Sequence, residues 1–372
     1  MDGDGWGTNV RGWAPMKVLL SSHLFYPSVG GVESVGLMLA EALARSGMEV
    51  RVVTQTRGEG EPLFPFAVLR EPSPAALWRA VAWSDLVLHN NISLQTAWPL
   101  LGMRRPWLIV HHTWIARPDG SRGWKDILKR LVLRGGRSIA ISAAVAEALP
   151  VPARLIPDPY DDELFCEWPG AVRARELIFV GRLVSDKGVD LLIDALGNLK
   201  EEGLAPGLTV VGNGPELGAL QAQAERKGVL GQIRFAGWKT GRELVGLMNQ
   251  HQILVVPSRW REPFGLVALE GIACGCVVVG SAGGGLKEAI GPCGVTFANG
   301  DVQGLTGLLS GLFRRPETLE IYRGRALEHL ARHRREAVAR AYVEAIEEAL
   351  GGTAGARRGG LELAAAGKSG RP

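Results

Sequence analysis

Two glutamates eight positions apart carry the strongest chemical signal in the sequence. Glu262 falls in a loop after an apolar strand-like run, and Glu270 falls inside the helix that Gly265 opens. Because Leu269 and Ile272 flank Glu270, burial of its carboxylate would be costly without a hydrogen-bonding partner. Paired hydroxyls of a ligand, as on a ribose, would satisfy it. The alternative is a surface glutamate followed by a capping glutamate.

The helix that contains Glu270 begins beside a loop suited to an anion. Its first amides belong to Phe264, Gly265 and Leu266, where exposed N–H groups and the helix dipole favour a phosphate. A further glycine cluster, Ser281-Ala282-Gly283-Gly284-Gly285, follows the next strand. We expect this cluster to line the same ligand site.

A cationic pair, Arg182 and Lys187, lies just past another strand end in the run Gly181-Arg182-Leu183-Val184-Ser185-Asp186-Lys187-Gly188. A guanidinium can hold a phosphate through two parallel hydrogen bonds, while a lysine supplies a point charge. Together they would offset the charge that builds on a leaving diphosphate. A solvated basic loop is the alternative, which the position at a strand end disfavours.

Gly30 and Gly31 precede the first helix, where their main-chain N–H groups can meet an anion or a polar ligand. A tight strand-to-helix turn explains the pair equally well. Gly30, Gly31 and Gly36 lack the G-x-G-x-x-G spacing, and the strand ending near Thr54 carries no acidic residue for a ribose. This argues against a dinucleotide-dependent dehydrogenase.

Short apolar runs alternate with helical patterns along the chain, which predicts two doubly wound α/β domains with parallel sheets. The segment 32–45 has apolar residues at helical spacing and stops near Gly47. The predicted strands begin near residues 17, 50, 86, 107, 139 and 154 in the first domain and near 177, 208, 233, 253 and 277 in the second. The predicted division of the chain is a disordered leader (1–15), a first domain (16–168), a second domain (169–330), a helix packing back on the first domain (331–350) and a disordered tail (351–372).

Composition excludes several classes of protein. Hydrophobic residues make up 46% of the 372 residues and charged residues 22%, which excludes a disordered chain. The 50 glycines are about twice the usual share and have no collagen period, so they indicate many tight loops. The net charge of +4 selects no particular partner, and no pattern typical of nucleic-acid binding occurs.

The sequence also predicts the compartment. The four cysteines show no paired C-x-x-C spacing with histidines, so neither a disulfide framework nor a structural zinc site is expected. The chain has no secretory leader pattern and no apolar stretch of membrane-spanning length. We therefore expect a cytoplasmic protein with reduced thiols.

From about residue 16 to 350, the chain resembles the retaining glycosyltransferases of family 4. The segment from Glu262 to Glu270 matches the family's E-x7-E motif, and Gly181-Arg182-Leu183 with Lys187-Gly188 matches its phosphate-binding loop. The resemblance implies the GT-B fold, in which two Rossmann-like domains face a central cleft. The first domain would then lie on the acceptor side, and the second would bind the nucleotide-sugar donor.

The resemblance also assigns residues. It implies that Arg182 and Lys187 contact the donor diphosphate, Glu270 the ribose hydroxyls and Glu262 the transferred sugar. The family has a histidine after a first-domain strand, and register favours His112 over His111 for it; a structural histidine is the alternative. The predicted catalytic residues are Glu262, His112, Arg182 and Lys187. The predicted donor-binding residues are Gly30, Gly31, Arg182, Lys187, Glu262, Phe264, Gly265, Leu266 and Glu270.

The resemblance has a departure and a mechanistic implication. Where the family often has Pro-Asn-Gly-Val-Asp, this chain reads Pro157-Asp158-Pro159-Tyr160-Asp161, so a hydrogen-bond role of the Asn is not carried over. The only D-x-D sequence, Asp2-Gly3-Asp4, is at the start of the chain. We therefore expect no metal and no cofactor, with Arg182, Lys187 and helix amides in place of a cation. The family relation implies retention at the anomeric carbon by front-face attack.

The segment Arg122–Arg137 contains six basic residues and one acid. Apolar residues at helical spacing make it a basic amphipathic helix, which can lie on an anionic membrane surface. The alternative is an ordinary helix with its apolar side in the core. A membrane-facing helix would place the protein at the inner face of the cytoplasmic membrane.

The leading functional hypothesis is transfer of a sugar from a nucleotide-diphosphate sugar to a glycan or lipid-linked hydroxyl acceptor, in cell-envelope glycan, polysaccharide or glycolipid synthesis. A GT-B sugar-nucleotide epimerase is the alternative within enzymes. A non-catalytic sugar-nucleotide-binding protein is the alternative outside them. The E-x7-E spacing and the intact Arg182 and Lys187 favour transfer.

Overall fold

The structure is a computed structural model that describes residues 15–28, 30–58, 63–115 and 124–365. Within these ranges, the side chains of residues 124–126, 131 and 352–365 are not described. The predicted leader up to residue 14 and residues 366–372 of the predicted tail thus lie outside the described residues. The chain divides into two compact units: the first takes in the described parts of Met1–Ile141, Val145–Ile156 and Arg335–Pro372, and the second Ser142–Ala144 and Pro157–Arg334.

The first unit is built on a parallel sheet that has seven strands within the described residues, in the order β3-β2-β1-β4-β5-β6-β7. The strands are β1 (Lys17–Ser22), β2 (Glu49–Thr54), β3 (Ala67–Arg70), β4 (Leu86–Asn90), β5 (Trp107–His111), β6 (Arg137–Ala140) and β7 (Ala153–Leu155). Between them run α1 (Gly31–Arg45), α2 (Pro74–Trp83), α3 (Leu94–Ala97), a 3-10 turn (Trp98–Leu101), α4 (Trp124–Leu133) and α5 (Ala143–Ala148).

The second unit is built on a parallel sheet with the order β10-β9-β8-β11-β12-β13. Its strands are β8 (Arg175–Val180), β9 (Leu208–Val211), β10 (Ile233–Gly237), β11 (His251–Val256), β12 (Val277–Ser281) and β13 (Gly294–Phe297). Its helices are α6 (Val189–Glu201), α7 (Leu217–Arg226), α8 (Gly241–Asn249), α9 (Leu266–Ala273), α10 (Leu286–Ile290), α11 (Val302–Arg314), α12 (Glu317–Arg323) and α13 (Ala326–Ala331), and 3-10 turns occupy Ser185–Lys187, Leu230–Gln232 and Gly291–Cys293.

Two parallel α/β sheets confirm the predicted fold class. The central strands are buried along their whole length, as in β4 and β12, because helices cover both sheet faces. Strands β3 and β13 were not predicted. Both lie at sheet edges and are mostly half-exposed, so their sequences lack a continuous apolar run.

Each sheet reverses its strand order once, between β1 and β4 in the first unit and between β8 and β11 in the second. Ligands of doubly wound sheets bind outside the carboxyl ends of the strands at such a switch point. The loops after these four strands are therefore the expected position of a ligand-binding site.

The chain enters the second unit at Pro157, whereas the composition change at Trp168-Pro169-Gly170 suggests a boundary at 168/169. The difference arises because long-range contacts hold residues 157–168 to the second unit. The amide of Tyr160 donates to the carbonyl of His333, and the amide of Trp168 donates to Asn249 Oδ1 at 2.8 Å. Such contacts leave no trace in local composition.

The chain returns to the first unit in α14 (Arg335–Ala365), which packs on α1. Val338, Tyr342 and Ile346 of α14 are buried. The structure continues this helix through 351–365, where the sequence predicts a disordered tail.

Candidate functional site

At the switch point of the second sheet, the loop after β8 and the loop after β11 touch. Gly188 makes this approach possible: its φ is +68°, and a Cβ there would collide with the carbonyl oxygen of Pro257. The amides of Arg259 and Trp260 both donate to the carbonyl of Asp186. Main-chain contacts thus join two loops that are some 70 residues apart in the sequence.

These loops bring Lys187 and Glu262 together. Lys187 Nζ lies 2.6 Å from Glu262 Oε1, and the Ser258 hydroxyl donates to the same oxygen at 2.7 Å. The lysine side chain is 24% exposed and the glutamate 13%, so the pair is partly shielded from water. An ion pair in that setting is stronger than a surface pair. The sequence predicts both residues for the site but not their direct contact.

A second ion pair supports the same two loops. The Arg259 guanidinium makes two hydrogen bonds to the carboxylate of Asp190, at the start of α6, with Nη2 2.6 Å from Oδ2. The Asp190 hydrogen bond and charge raise the pKa of Arg259. Arg259 therefore stays cationic and holds the β11 loop against the start of α6. Sequence reasoning missed this pair, because neither residue belongs to a motif.

Arg182 lies at the opening of the loop after β8 and is exposed. The described part of the chain shows no ion pair to its guanidinium. Arg182 and Lys187 thus follow the same strand, β8. The guanidinium of Arg182 is available to an anionic ligand.

Helix α9 starts directly after the β11 loop. Gly265 precedes it with a φ of +116°, and Phe264 is buried with its ring centroid 5.6 Å from that of His333. The first N–H groups of a helix have no partner within the helix, and among the described residues the amides of Leu266 and Val267 have no acceptor, whereas that of Ala268 donates to the carbonyl of Gly265. The structure therefore places the predicted anion-binding amides at the end of β11.

Glu270 lies on α9 and is partly buried. No hydrogen bond or ion pair to its carboxylate occurs among the described residues. Burial, and secondly the charge of Asp161, raise the pKa of Glu270 from 4.5 to about 7. A shielded carboxylate without a protein partner is what the sequence predicts for a group that receives ligand hydroxyls.

Asn299 is a site-supporting residue that sequence reasoning missed. Its Oδ1 accepts from the amide of Gly283 at 2.6 Å, and its Nδ2 donates to the carbonyl of Ser258 at 3.0 Å. The amide of Gly285 also donates to the carbonyl of Glu262. Together these bonds fasten the glycine cluster after β12 to the loop that carries Glu262. A lone asparagine after an edge strand gives no sequence signal for such a role.

In the first unit, Gly30 and Gly31 lie where they were predicted. Gly31 is the first residue of α1, and Gly30 caps it in an extended conformation. A side chain at Gly30 would collide with the carboxylate of Glu33, which is buried. Because the end of the Glu33 side chain can shift to admit a Cβ, packing alone does not require glycine at residue 30.

His112 follows β5 in the first unit and is 4% exposed. Its amide donates to Asn91 Oδ1 at 2.9 Å, which ties it to the loop after β4. Its neighbour His111 lies 3.1 Å through Nε2 from the Ser138 hydroxyl, and burial, with the charge of His112, lowers the pKa of His111 to about 4. His112 thus lies at the carboxyl edge of the sheet, beside the switch point, as predicted.

The basic segment 122–137 forms α4 and the start of β6, and Arg122 lies outside the described residues. Val132 and Leu133 are buried, but Ile127 is 55% exposed and Leu128 39%. The apolar residues of α4 are therefore split between the core and the surface. The buried Val132 and Leu133 fit the core-packed alternative and the exposed Ile127 and Leu128 fit the membrane-facing one, so membrane contact stays a prediction.

The fold and the site define a class. Two doubly wound parallel sheets, with cations and helix amides at the switch point of the second, belong to the GT-B glycosyltransferase fold. Residues 167–328 match the family described as "Glycosyl transferases group 1", and residues 29–161 match "Glycosyltransferase Family 4". The two matches together take in most of the chain. The chain belongs to this glycosyltransferase family.

Similar proteins include glycogen synthase of Mycobacterium tuberculosis, which is 40% identical over 156 residues, 40% of this chain and 37% of that protein. D-inositol 3-phosphate glycosyltransferase of Corynebacterium jeikeium is 33% identical over 248 residues, 56% of this chain and 58% of that protein. The chain thus matches these relatives over about a third to somewhat more than half of their length.

Among solved structures, Anabaena HepE in complex with UDP and glucose has a TM-score of 0.74 at 20% identity. The likeness covers 90% of this chain and all of that one. It supports the fold. None of the helices in the described residues has the length and apolar character needed to cross a bilayer.

Proposed function

We propose that this protein transfers a sugar from a nucleotide-diphosphate sugar to a hydroxyl acceptor, with retention at the anomeric carbon and without a metal ion. The observation that supports this most is the set of groups at the second unit's switch point. A Lys187–Glu262 ion pair and an exposed Arg182 lie beside the α9 amides, and Glu270 on α9 has no partner among the described residues.

Each group has a chemical task. Arg182, Lys187 and the α9 amides hold the diphosphate and stabilise the charge that it gains as it leaves. Glu270 accepts hydrogen bonds from the ribose hydroxyls. Glu262 accepts from the hydroxyls of the transferred sugar once Lys187 turns to the diphosphate. The cations do for the diphosphate what a divalent ion does in other transferases.

The transfer step breaks the bond between the anomeric carbon and the phosphate oxygen, and the bonding electrons stay with the diphosphate. The acceptor oxygen forms its bond to the same face of the anomeric carbon. The acceptor proton passes to the departing phosphate oxygen, so no protein base is required. In the first unit, Gly30, Gly31 and His112 are proposed to contact the donor or acceptor from the carboxyl edge of the sheet.

The similar proteins support a nucleotide-sugar donor by analogy. HepE has been solved with UDP and glucose, and the C. jeikeium relative is named for glycosyl transfer to D-inositol 3-phosphate. A thermal-shift panel of UDP-, GDP- and ADP-sugars would identify the base, because a ligand raises stability with the logarithm of its concentration over Kd.

The site assignment is tested by calorimetry with that nucleotide sugar. Glu270→Ala is expected to weaken binding about tenfold or more, because a ligand–carboxylate hydrogen bond is lost. The control is Glu225→Ala, an exposed glutamate on α7. Unchanged binding by Glu270→Ala would show that the ribose assignment is wrong.

The reaction is tested by product analysis. Transfer is expected to continue in excess EDTA, and the product should keep the donor's anomeric configuration by NMR. A strict Mn²⁺ requirement contradicts the metal-free mechanism. Epimerised donor formed without acceptor would instead establish the epimerase alternative, and binding without turnover across a broad acceptor panel would favour a non-catalytic binding protein.

We further propose that α4 places the protein on the inner face of the cytoplasmic membrane, where a lipid-linked acceptor would be found. Exposed Ile127 and Leu128 lie on the same helix as Lys129, the combination by which interfacial helices bind anionic lipid. Vesicle flotation with Ile127→Ser and Lys129→Glu should release the protein from anionic vesicles. Ile321→Ser, an isoleucine of similar exposure (57%) on α12, is the control. Equal flotation of all variants would disprove membrane docking by α4.

A further inference from the structure

The first unit contains a cavity at the amino ends of β5, β6 and β7, on the sheet edge opposite to the switch-point loops. Its volume is about 470 Å³. That lies within the range of small-molecule sites, about 300–1,000 Å³. The C-terminal end of α4 forms one side and α14 contributes Ala345 and Glu348 to another.

The lining combines an apolar wall with charged groups. Val151, Pro152 and Ala153 line it with apolar side chains that are half-buried or exposed. Leu108 and Ile139 also line it but are almost fully buried, so they offer a ligand almost no surface. A cavity of this kind favours an aliphatic group of a ligand, because it removes apolar area from water.

Three arginines line the same cavity, and they differ in what they contact. Arg154 is neutralised: Nη2 lies 2.8 Å from Glu344 Oε2, and Nη1 lies 2.9 Å from Glu348 Oε1. Arg134 and Arg137 are exposed, and neither makes an ion pair among the described residues. Within the part of the chain that the structure describes, the cavity therefore has two guanidiniums without a paired carboxylate.

Helix capping explains only part of this arrangement. Arg134 directly follows α4, where a cation is favoured by the helix dipole. Arg137 lies on β6, beyond the reach of that effect, and is brought to the same cavity by the turn at Gly135 and Gly136. Two like charges at one cavity oppose each other, and an anion between them would relieve the repulsion.

We propose that this cavity binds an amphipathic anion: a phosphate or carboxylate head held by Arg134 and Arg137, with an aliphatic chain against Val151, Pro152 and Ala153. Two guanidiniums suit such a head because each can donate two parallel hydrogen bonds. The ligand would be a freely diffusing molecule with a single chain, because the apolar lining belongs to a cavity within one unit. The site is separate from the proposed donor site, and its test does not depend on glycosyl transfer.

Binding is measured by calorimetry on the full chain with dodecyl phosphate below its micelle concentration. Dodecyl phosphate should bind at least about 100-fold more tightly than inorganic phosphate, since its chain buries apolar area. Dodecyl phosphate should also bind at least about tenfold more tightly than uncharged dodecanol, since the alcohol lacks the charge-assisted hydrogen bonds. Comparable binding of inorganic phosphate would overturn the amphiphile assignment.

Variants locate the site. Arg134→Gln with Arg137→Gln should weaken dodecyl phosphate about tenfold or more, whereas Arg226→Gln, an exposed arginine at the end of α7, should change it less than about twofold. Val151→Trp keeps both arginines and places a bulkier side chain in the cavity, so it should also weaken binding. Circular dichroism checks that each variant folds.

Two further outcomes decide against the proposal. If the double glutamine variant and Val151→Trp bind dodecyl phosphate as the unaltered chain does, the cavity is not the site. If the chain does not bind monomeric dodecyl phosphate but binds anionic vesicles through Arg134 and Arg137, these arginines contact a membrane surface. The cavity proposal is then wrong.

Discussion

The ammonium of Lys187 lies 2.6 Å from the carboxylate of Glu262, at the strand ends where the second sheet reverses its order. Without a ligand, each residue therefore holds the other in place. Under the proposed function, a diphosphate that takes Lys187 also frees Glu262 to accept hydrogen bonds from a sugar. That proposal therefore couples donor binding to the exposure of Glu262 through one ion pair.

Lys187→Met should lower kcat about 100-fold or more, because a cation that stabilises the leaving diphosphate is lost. It should also destabilise the fold by about 1–3 kcal/mol, since the partly buried Glu262 keeps only the Ser258 hydroxyl. Steady-state kinetics and urea unfolding measure the two effects. Lys227→Met, which breaks an exposed pair with Asp194, is the control and should change both little. Full activity of Lys187→Met would remove this residue from the catalytic set.

Nucleotide-sugar binding should depend on pH through Glu270. Its pKa is about 7, and the ionised form accepts the ribose hydroxyls, so affinity should fall as pH drops below that value. Calorimetry should show that the affinity falls about tenfold between about pH 8 and about pH 6, because the ionised fraction of Glu270 falls by about that factor. Glu270→Gln should bind weakly with no such dependence. A profile that is the same for both proteins would contradict this role.

Glu270→Gln should also stabilise the fold at pH 8. The folded pKa of Glu270 lies above its usual 4.5, so the folded state binds more protons than the unfolded state between these values. Stability from this group is therefore present at low pH and is lost as pH rises through about 7. Thermal unfolding should show a higher midpoint for the variant at pH 8 and little difference at pH 4. A lower midpoint at pH 8 would mean that the carboxylate has a protein partner.

Asn299→Ala should raise the KM for the donor about tenfold, because the glycine cluster after β12 is no longer fastened to the Glu262 loop. The amide of Gly283 and the carbonyl of Ser258 each lose a bond. Asn198→Ala, which removes one bond to Thr306 on the distant α6–α11 contact, is the control. An effect on unfolding alone, with KM unchanged, would reduce Asn299 to a structural role.

Gly188→Ala should cost more stability than Gly203→Ala. Both glycines have a positive φ, +68° and +78°, so both substitutions carry the backbone strain of about 1–2 kcal/mol. Gly203 has open space around it, whereas a Cβ at Gly188 meets the carbonyl of Pro257. Urea unfolding measures the difference, and nucleotide binding should weaken only in Gly188→Ala. Equal losses would show that the two loops can separate without consequence.

The sequence by itself determines which residue types are present at strand ends and how the elements alternate. Buried parallel strands such as β4 and β12 are continuous apolar runs, and a glycine or cation after such a run lies in a loop whatever the rest of the fold does. Arg182, Lys187 and Glu262 can be placed in strand-end loops for this reason. Glu270 is singled out instead by its apolar neighbours on the helix and by its spacing from Glu262. The short edge strands β3 and β13 were not, because their half-exposed residues have no distinctive pattern.

The tertiary structure alone decides which of these loops meet. Lys187 contacts Glu262 because β8 and β11 are neighbours at a reversal of strand order, a fact that no local pattern contains. The support from Asn299 and from the Asp190–Arg259 pair, and the cavity with Arg134 and Arg137, likewise depend on residues far apart in the chain. Local sequence sets propensity and burial over a few residues, whereas strand order and long-range packing set the distances on which chemistry depends.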